Sequence, residues 1–257
     1  MESVRLGEIM AEDIDSLNQM CVPSGVCADE LSKLLQESRA AQLHALEMGA
    51  RVFGAFLEGE PVGRVEVMPI EAAPLPLEGE GLWVIRCLWV LEKARGRGIA
   101  RSLMELALKA SERARGTAVL TYPDWMPTGF FERFGFAVVG WGGSGIVLLR
   151  SSDPGARVTF VPVVRKAESS GSEVRVEAVL NARCPWMARY YRTRLAHARS
   201  ISDRVTTEEY VVHTREDALR FGEENLYVDG KPAFAGLAGL DELERVVRER
   251  LAAKGLD

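Results

Sequence analysis

The chain has 257 residues, with 32 Lys and Arg against 37 Asp and Glu, a formal net charge of −5, and 47% hydrophobic residues. The acidic balance argues against nucleic acid as the main partner. No apolar run reaches eighteen residues, which argues against a membrane span, and the length suits two domains with ample core material. The N-terminus, Met1-Glu2-Ser3-Val4-Arg5, shows no basic start followed by an apolar stretch, so no signal peptide is expected. The four cysteines, Cys21, Cys27, Cys87 and Cys184, form no repeated C-x-x-C pair, which points to a reducing, cytoplasmic setting.

In chain order, Val4 to Ile9 predicts a strand. Glu12 to Met20 predicts a helix, stopped by Pro23-Ser24-Gly25. Asp29 reads as the cap of a longer helix running towards Gly49, with Leu31, Leu34 and Leu35 turned inward. Arg51 to Glu58 and Val62 to Pro69 read as two strands around the turn Glu58-Gly59-Glu60-Pro61. The acidic segment Glu71 to Glu80 reads as a loop. It leads into the long apolar strand Leu82 to Val90.

Arg95-Gly96-Arg97-Gly98-Ile99-Ala100 comes next, followed by a helical pattern with Ile99, Leu103, Leu106, Ala107, Ala110 and Ala114 on one face. Strand, glycine turn and helix start make an anion cradle. The first amides of a helix lack internal partners and meet the positive end of its dipole. Gly96 and Gly98 let backbone approach a ligand closely, and Arg95, Arg97 and Arg101 add guanidinium charge suited to phosphate. Thr117 to Tyr122 then reads as a short strand. Pro127 to Phe136 encloses a short helix ending in Glu-Arg-Phe-Gly-Phe, and Ala137 to Gly140 and Ile146 to Leu149 read as two more strands.

Arg95, Gly98 and Ala100 occupy the fixed positions of [Q/R]-x-x-G-x-[G/A], and Glu132-Arg133-Phe134-Gly135-Phe136 follows in the right order. On these motifs the chain, over about residues 1 to 150, resembles the GNAT superfamily of acyl-CoA-dependent N-acetyltransferases. The expected fold class is α/β: a GNAT acyl-CoA N-acyltransferase fold followed by a smaller thioredoxin-like α/β domain.

The linker signal Ser151-Ser152-Asp153-Pro154-Gly155 divides the chain into 1–152 and 153–257. Val158 to Val164 finishes or extends the first sheet, or bridges the domains. After the polar stretch Lys166 to Glu173, Val174 to Leu180 is a strand and Trp186 to Arg199 a helix. Thr206 to His213 is a strand and Arg215 to Phe221 a short helix. Asn225 to Val228 and Pro232 to Ala235 form a hairpin, and Leu240 to Ala253 is the last helix. This order is similar to thioredoxin-like domains and to the YoaP-like group of GNAT proteins. Cys184-Pro185-Trp186-Met187 stands at the redox position with Met in place of the second cysteine. The helix after it carries Arg189, Arg192, Arg194 and Arg199, read as a solvated face or as the mate of an anionic partner such as Glu71 to Glu80.

The resemblance implies acetyl-CoA as acyl donor, a small-molecule or peptide amine as acceptor, and a possible homodimer. It places the donor against Leu88, Trp89, Val90, Arg95, Gly96, Arg97, Gly98, Ile99, Ala100, Arg101, Asp124 and Phe131. Many family members carry a tyrosine acid where this chain has Phe131, so Tyr122, water, or a domain that binds acyl-CoA without transfer are the open readings. Glu66, among apolar neighbours, is the candidate base, or else an ion-pair partner of Arg64 or Arg86. Cys87 alternates with Ile85 and Trp89, which reads as a buried small hydrophobe. None of His44, His197 and His213 sits at metal-ligand spacing, so no metal site is expected. Cys184 at a helix N-terminus beside Arg183 is expected to be the most acidic thiol, with no partner for a dithiol cycle. A thiol-redox protein centred on Cys184 is therefore a further alternative.

Overall fold

A computed structural model describes residues 4–22, 24–122, 125–163 and 171–256. Its first half runs β1 (Val4–Glu8), α1 (Ile14–Gln19), α2 (Ala28–Glu47), β2 (Arg51–Leu57), β3 (Glu60–Pro69), β4 (Leu77–Gly79), β5 (Leu82–Val90), α3 (Ile99–Ala110), β6 (Gly116–Thr121), α4 (Thr128–Glu132), β7 (Ala137–Gly142) and β8 (Gly145–Arg150). Seven of these strands form one sheet in the order β1-β2-β3-β5-β6-β8-β7. Only β5 and β6 run parallel; the remaining neighbours are antiparallel. The parallel pair needs a crossover, and α3 supplies it. Its apolar stripe, Ile99, Leu103, Met104 and Ala107, is buried against β2, β3 and β5. Each large side chain of that stripe contributes about 1.5–3 kcal/mol relative to exposure.

The second half runs β9 (Val158–Phe160), β10 (Val174–Leu180), α5 (Pro185–Ile201), β11 (Val205–Val211), α6 (Arg215–Phe221), β12 (Asn225–Val228), β13 (Lys231–Pro232) and α7 (Leu240–Ala253). A four-stranded sheet has the order β11-β10-β12-β13, with β10 parallel to β11 and antiparallel to β12. Helices α5 and α7 pack together on β10.

Two local expectations change. The cap of α2 is Cys27, which has extended backbone, and not Asp29, which lies inside the first turn. The acidic loop contains β4, which pairs with β9 from Leu77 opposite Phe160 to Gly79 opposite Val158. A three-residue strand carries too short a pattern to announce itself, and its partner lies about eighty positions away.

Helix α2 serves both halves. Leu34 is buried in the core of the second sheet, among Val176, Leu195 and Leu243. One turn on, the Ser38 hydroxyl and the Gln42 amide both donate to the Arg183 carbonyl, at 2.7 and 2.9 Å. The arginines of α5 are not simply solvated, and their mates are not Glu71 to Glu80. Arg189 pairs with Glu30 at 3.1 Å and Arg192 with Glu37 at 2.6 Å, both on α2, and Arg192 also reaches Glu209 at 2.8 Å.

Candidate active site

A groove of about 410 Å³ lies between the end of β5, the glycine turn, the start of α3, and α4. Val90, Arg95, Gly96, Gly98, Ile99, Ala100 and Arg101 line it. Gly96 and Gly98 both have φ of +78°, a left-handed conformation that glycine adopts without a Cβ penalty. The first intrahelical bond of α3 runs from the Ser102 amide to the Gly98 carbonyl at 3.1 Å. The amides of Ile99, Ala100 and Arg101 therefore precede the ladder and open towards the groove, where the helix dipole favours an anion.

The far wall is α4, and here the sequence reading needs correction. Phe131 does not line the groove. It is fully buried, edge-on to Phe130 and Phe136, in the core beneath α3. Phe130, Arg133 and Phe134 face the groove instead. Arg101 lies 6.0 Å from the Phe134 ring centroid, and Arg133 lies 5.5 Å from that of Phe130. Helical spacing of i and i+3 or i+4 sends these three side chains one way and Phe131 the other. Of the remaining donor-side candidates, Leu88 is buried under α3 and Trp89 carries the Arg95 guanidinium over its ring at 5.3 Å. Arg97 is exposed at the tip of the turn. Asp124 lies outside the described residues.

Strand β5 changes character at Arg86. Glu66 of β3 pairs with Cys87 while Val67 pairs with Ile85, so Arg86 is the extra residue of a β-bulge. Pairing with β6 ends at the same point, since Ile85 opposite Val119 is the last partnered position. From Arg86 to Val90 the edge facing β6 is splayed open. The bulge also shifts the alternation by one residue. Ile85 stays in the core beneath α3, and Cys87 turns to the opposite face, beside Arg64 and Glu66. The simple alternation of Ile85, Cys87 and Trp89 therefore does not hold.

On that face the two halves of the chain enclose a small cavity of about 30 Å³. Arg64, Glu66, Arg86 and Cys87 come from β3 and β5, Cys21 from the turn after α1, and Asn181, Arg183, Cys184 and Glu224 from the second half. Glu66 is buried, 2.8 Å from Arg183 and 3.8 Å from Arg64. Arg86 pairs with Glu224. Asn18 accepts from both Arg64, at 3.2 Å, and Gln42, at 2.6 Å. Desolvation at this site pushes the Cys87 thiol up to about 11.

Residues 48–138, from the end of α2 into β7, match the family model described as acetyltransferase (GNAT) domain. That segment is similar to acetyltransferase (GNAT) domains. Among curated proteins no sequence matches this chain. Solved structures similar to it include the PaiA N-acetyltransferase from Thermoplasma acidophilum in complex with coenzyme A. It is 14% identical, covering 58% of this chain and 99% of that one, with a TM-score of 0.44. A GNAT family acetyltransferase from Brucella melitensis in complex with acetyl-CoA is 18% identical, covering 63% and 97%, with a TM-score of 0.42. An acetyltransferase from Thermus thermophilus is 23% identical, covering 59% and 99%, with a TM-score of 0.44.

The acid and base candidates lie on the cavity side of the sheet, apart from the glycine turn. Glu66 is the carboxylate just described. Tyr122 stacks on Trp125, ring centroids 6.5 Å apart, and borders an adjoining small cavity with Glu224 and Tyr191. Burial pushes its phenol well above the ordinary tyrosine value, so it keeps its proton at neutral pH. Arg133, Arg183 and Glu224 escaped the sequence reading as site residues, and Cys21 is read there as packing at the edge of an acceptor pocket. Arg133 was legible in principle from the spacing of α4. The other three come together only through the docking of the second half onto the first.

The thiol expectation reverses. The neighbouring Cys21 thiol, and then burial, raise Cys184 well above the ordinary thiol value. The same pairing, reinforced by Arg64, lowers Cys21.

Proposed function

We propose that the chain is an acetyl-CoA-dependent N-acetyltransferase that passes the acetyl group directly to a primary amine bound at the splayed end of β5. The observation that supports this reading is the joining of two spaces at one strand. The glycine-turn groove meets β5 at Val90, and the charged cavity meets it at Arg86 and Cys87. The donor supplies a thioester. Arg95, Arg101, Arg133 and the first amides of α3 hold its phosphates, and Phe130 and Phe134 pack on its apolar parts. The unpaired edge of β5 offers backbone amides to the thioester oxygen, a kind of donor whose removal costs roughly 3–4 kcal/mol of barrier.

In this reading Glu66 takes the amine proton and Tyr122 returns one to the departing thiolate. The role of Glu66 needs a loaded cavity, because two guanidiniums hold its carboxylate in the present arrangement. A cavity of about 30 Å³ takes one or two waters, not an amine. Loading the acceptor therefore requires the second half to move away from β3 and β5. We read that half as a thioredoxin-like domain, supported by its element order and its sheet order, and as the cover of the acceptor site. The domain division at 152 and 153 is kept, with β9 reaching back to pair with β4.

Coupled measurement of CoA release across a panel of primary amines tests the proposal. A stimulating amine, with the rate lowered at least tenfold by Tyr122→Phe at unchanged acetyl-CoA affinity, is the expected result. Tight acetyl-CoA binding with no amine-dependent release would leave the chain a binding or sensing protein.

A further inference from the structure

Cys184 precedes α5 where Met187 removes the usual second cysteine, yet a second thiol is present. Cys21, 163 positions away and in the other half of the chain, lines the same small cavity as Cys184, and each thiol shifts the titration of the other. Both thiols line the small cavity between the halves. Three guanidiniums face that cavity, Arg64, Arg86 and Arg183, against two carboxylates, Glu66 and Glu224. Among the described residues, Nε of Arg64 and both Nε and Nη2 of Arg183 are buried without a hydrogen-bond partner. A buried site with one positive charge in excess and unanswered donors calls for an anion. Cys21, whose thiol is shifted towards ionisation by Cys184 and Arg64, can answer that call within the chain. The third thiol, Cys87, has its pKa raised to about 11 and stays protonated.

We propose that Cys21 and Cys184 are a redox pair shared between the two halves of the chain, converted by hydroperoxide to a disulfide. The Cys21 thiolate attacks one oxygen of hydrogen peroxide and the O–O bond breaks. Cys21 becomes a sulfenic acid, and the departing hydroxide takes the Cys184 proton to form water. The Cys184 thiolate then attacks the sulfenic sulfur, the S–S bond forms, and a second hydroxide leaves and is protonated by solvent. Two sulfurs lose one electron each and the peroxide gains two, giving two waters. Once the chain is digested, an external dithiol reverses the change by thiol–disulfide exchange. The cavity holds only one or two waters, so a peroxide fits where a bulky disulfide oxidant does not. The product would fasten the turn after α1 to the start of α5. If the acceptor binds in this cavity, as proposed above, oxidation locks its cover shut.

The test is a disulfide map of the full chain after equimolar hydrogen peroxide at pH 7, alkylation with iodoacetamide, and non-reducing digestion. The expected product is the Cys21 peptide linked to the Cys184 peptide, one bond per chain, lost on treatment with dithiothreitol. Cys27, which is exposed, should be recovered alkylated. In Cys184→Ser the sulfenic acid on Cys21 should persist and be trapped by dimedone. Recovery of Cys21 and Cys184 both alkylated, oxidation confined to Cys27, or a dominant Cys21–Cys87 link would overturn the proposal. The map on the unaltered chain needs neither a variant nor acetyl transfer, so it decides the pair independently of the acetyltransferase reading.

Discussion

Arg183 Nη1 lies 2.8 Å from Glu66 Oε1, joining the turn before α5 to the middle of β3. Both side chains are almost wholly buried. The Arg183 carbonyl is held at the same time by Ser38 and Gln42 of α2. One residue of the second half is thus gripped by two elements of the first, at the position where β5 splays from β6. The contact that covers the proposed acceptor site also ties up its candidate base.

Removing Arg183 leaves Glu66 buried with Arg64, at 3.8 Å, as its remaining ion pair among the described residues. Stripping one partner from a buried pair costs about 3–5 kcal/mol. Arg183→Ala should lower the free energy of unfolding by that order in urea titration. Arg189→Ala, which breaks a part-exposed pair with Glu30, should cost less than about 1 kcal/mol. Equal losses for the two variants would refute the distinction.

Gly98→Glu should abolish acetyl-CoA binding in calorimetry while circular dichroism stays unchanged. Gly98 has φ of +78° and open space where a Cβ would sit, so the first atom of a new side chain meets no protein atom. It brings backbone strain of about 1–2 kcal/mol and a negative charge at the anion cradle. Gly98→Ala carries the strain without the charge and should weaken binding much less. Identical effects from the two would show that charge at this turn does not matter.

The donor groove was legible because it is local. Arg95 to Ala100 is one contiguous strand–turn–helix joint, and each residue's part follows from its place in that joint. The acceptor side was not legible, for two physical reasons. A single extra residue at Arg86 inverts the face on which Cys87 lies, and bulges leave no mark in an apolar strand. Arg183, Cys184 and Glu224 then arrive from beyond residue 180, through a docking that no local pattern encodes. Phe131 was misplaced for a smaller reason. A motif aligned by position does not say which way a five-residue helix is turned.

Phe131→Ala and Phe134→Ala should separate folding from donor binding. Phe131 is fully buried among Phe130, Phe136 and the residues under α3, so its truncation should cost about 3–5 kcal/mol of stability. Phe134 lines the groove and is part-exposed. Its truncation should act mainly on acetyl-CoA affinity, with a smaller loss in thermal unfolding. The reverse pattern would mean that α4 is turned the other way.

Glu223 supplies a pH signature. It is buried, accepts hydrogen bonds from the Ser144 amide at 2.9 Å and the Ser144 hydroxyl at 3.4 Å, and desolvation raises it from 4.5 to about 6. Between those values the folded chain binds more protons than the unfolded chain, so this group makes stability fall as pH rises. Its contribution is fully present below pH 4.5 and lost above about pH 6. A shift of that size corresponds to about 2 kcal/mol. Glu223→Gln keeps an acceptor for Ser144 and removes the titration. Relative to the unaltered chain it should gain about 2 kcal/mol between pH 4.5 and pH 7 in denaturant-induced unfolding. Parallel pH profiles for the two proteins would mean that Glu223 is solvated and ionised throughout, and that the contact between Ser144 and Glu223 does not exclude water.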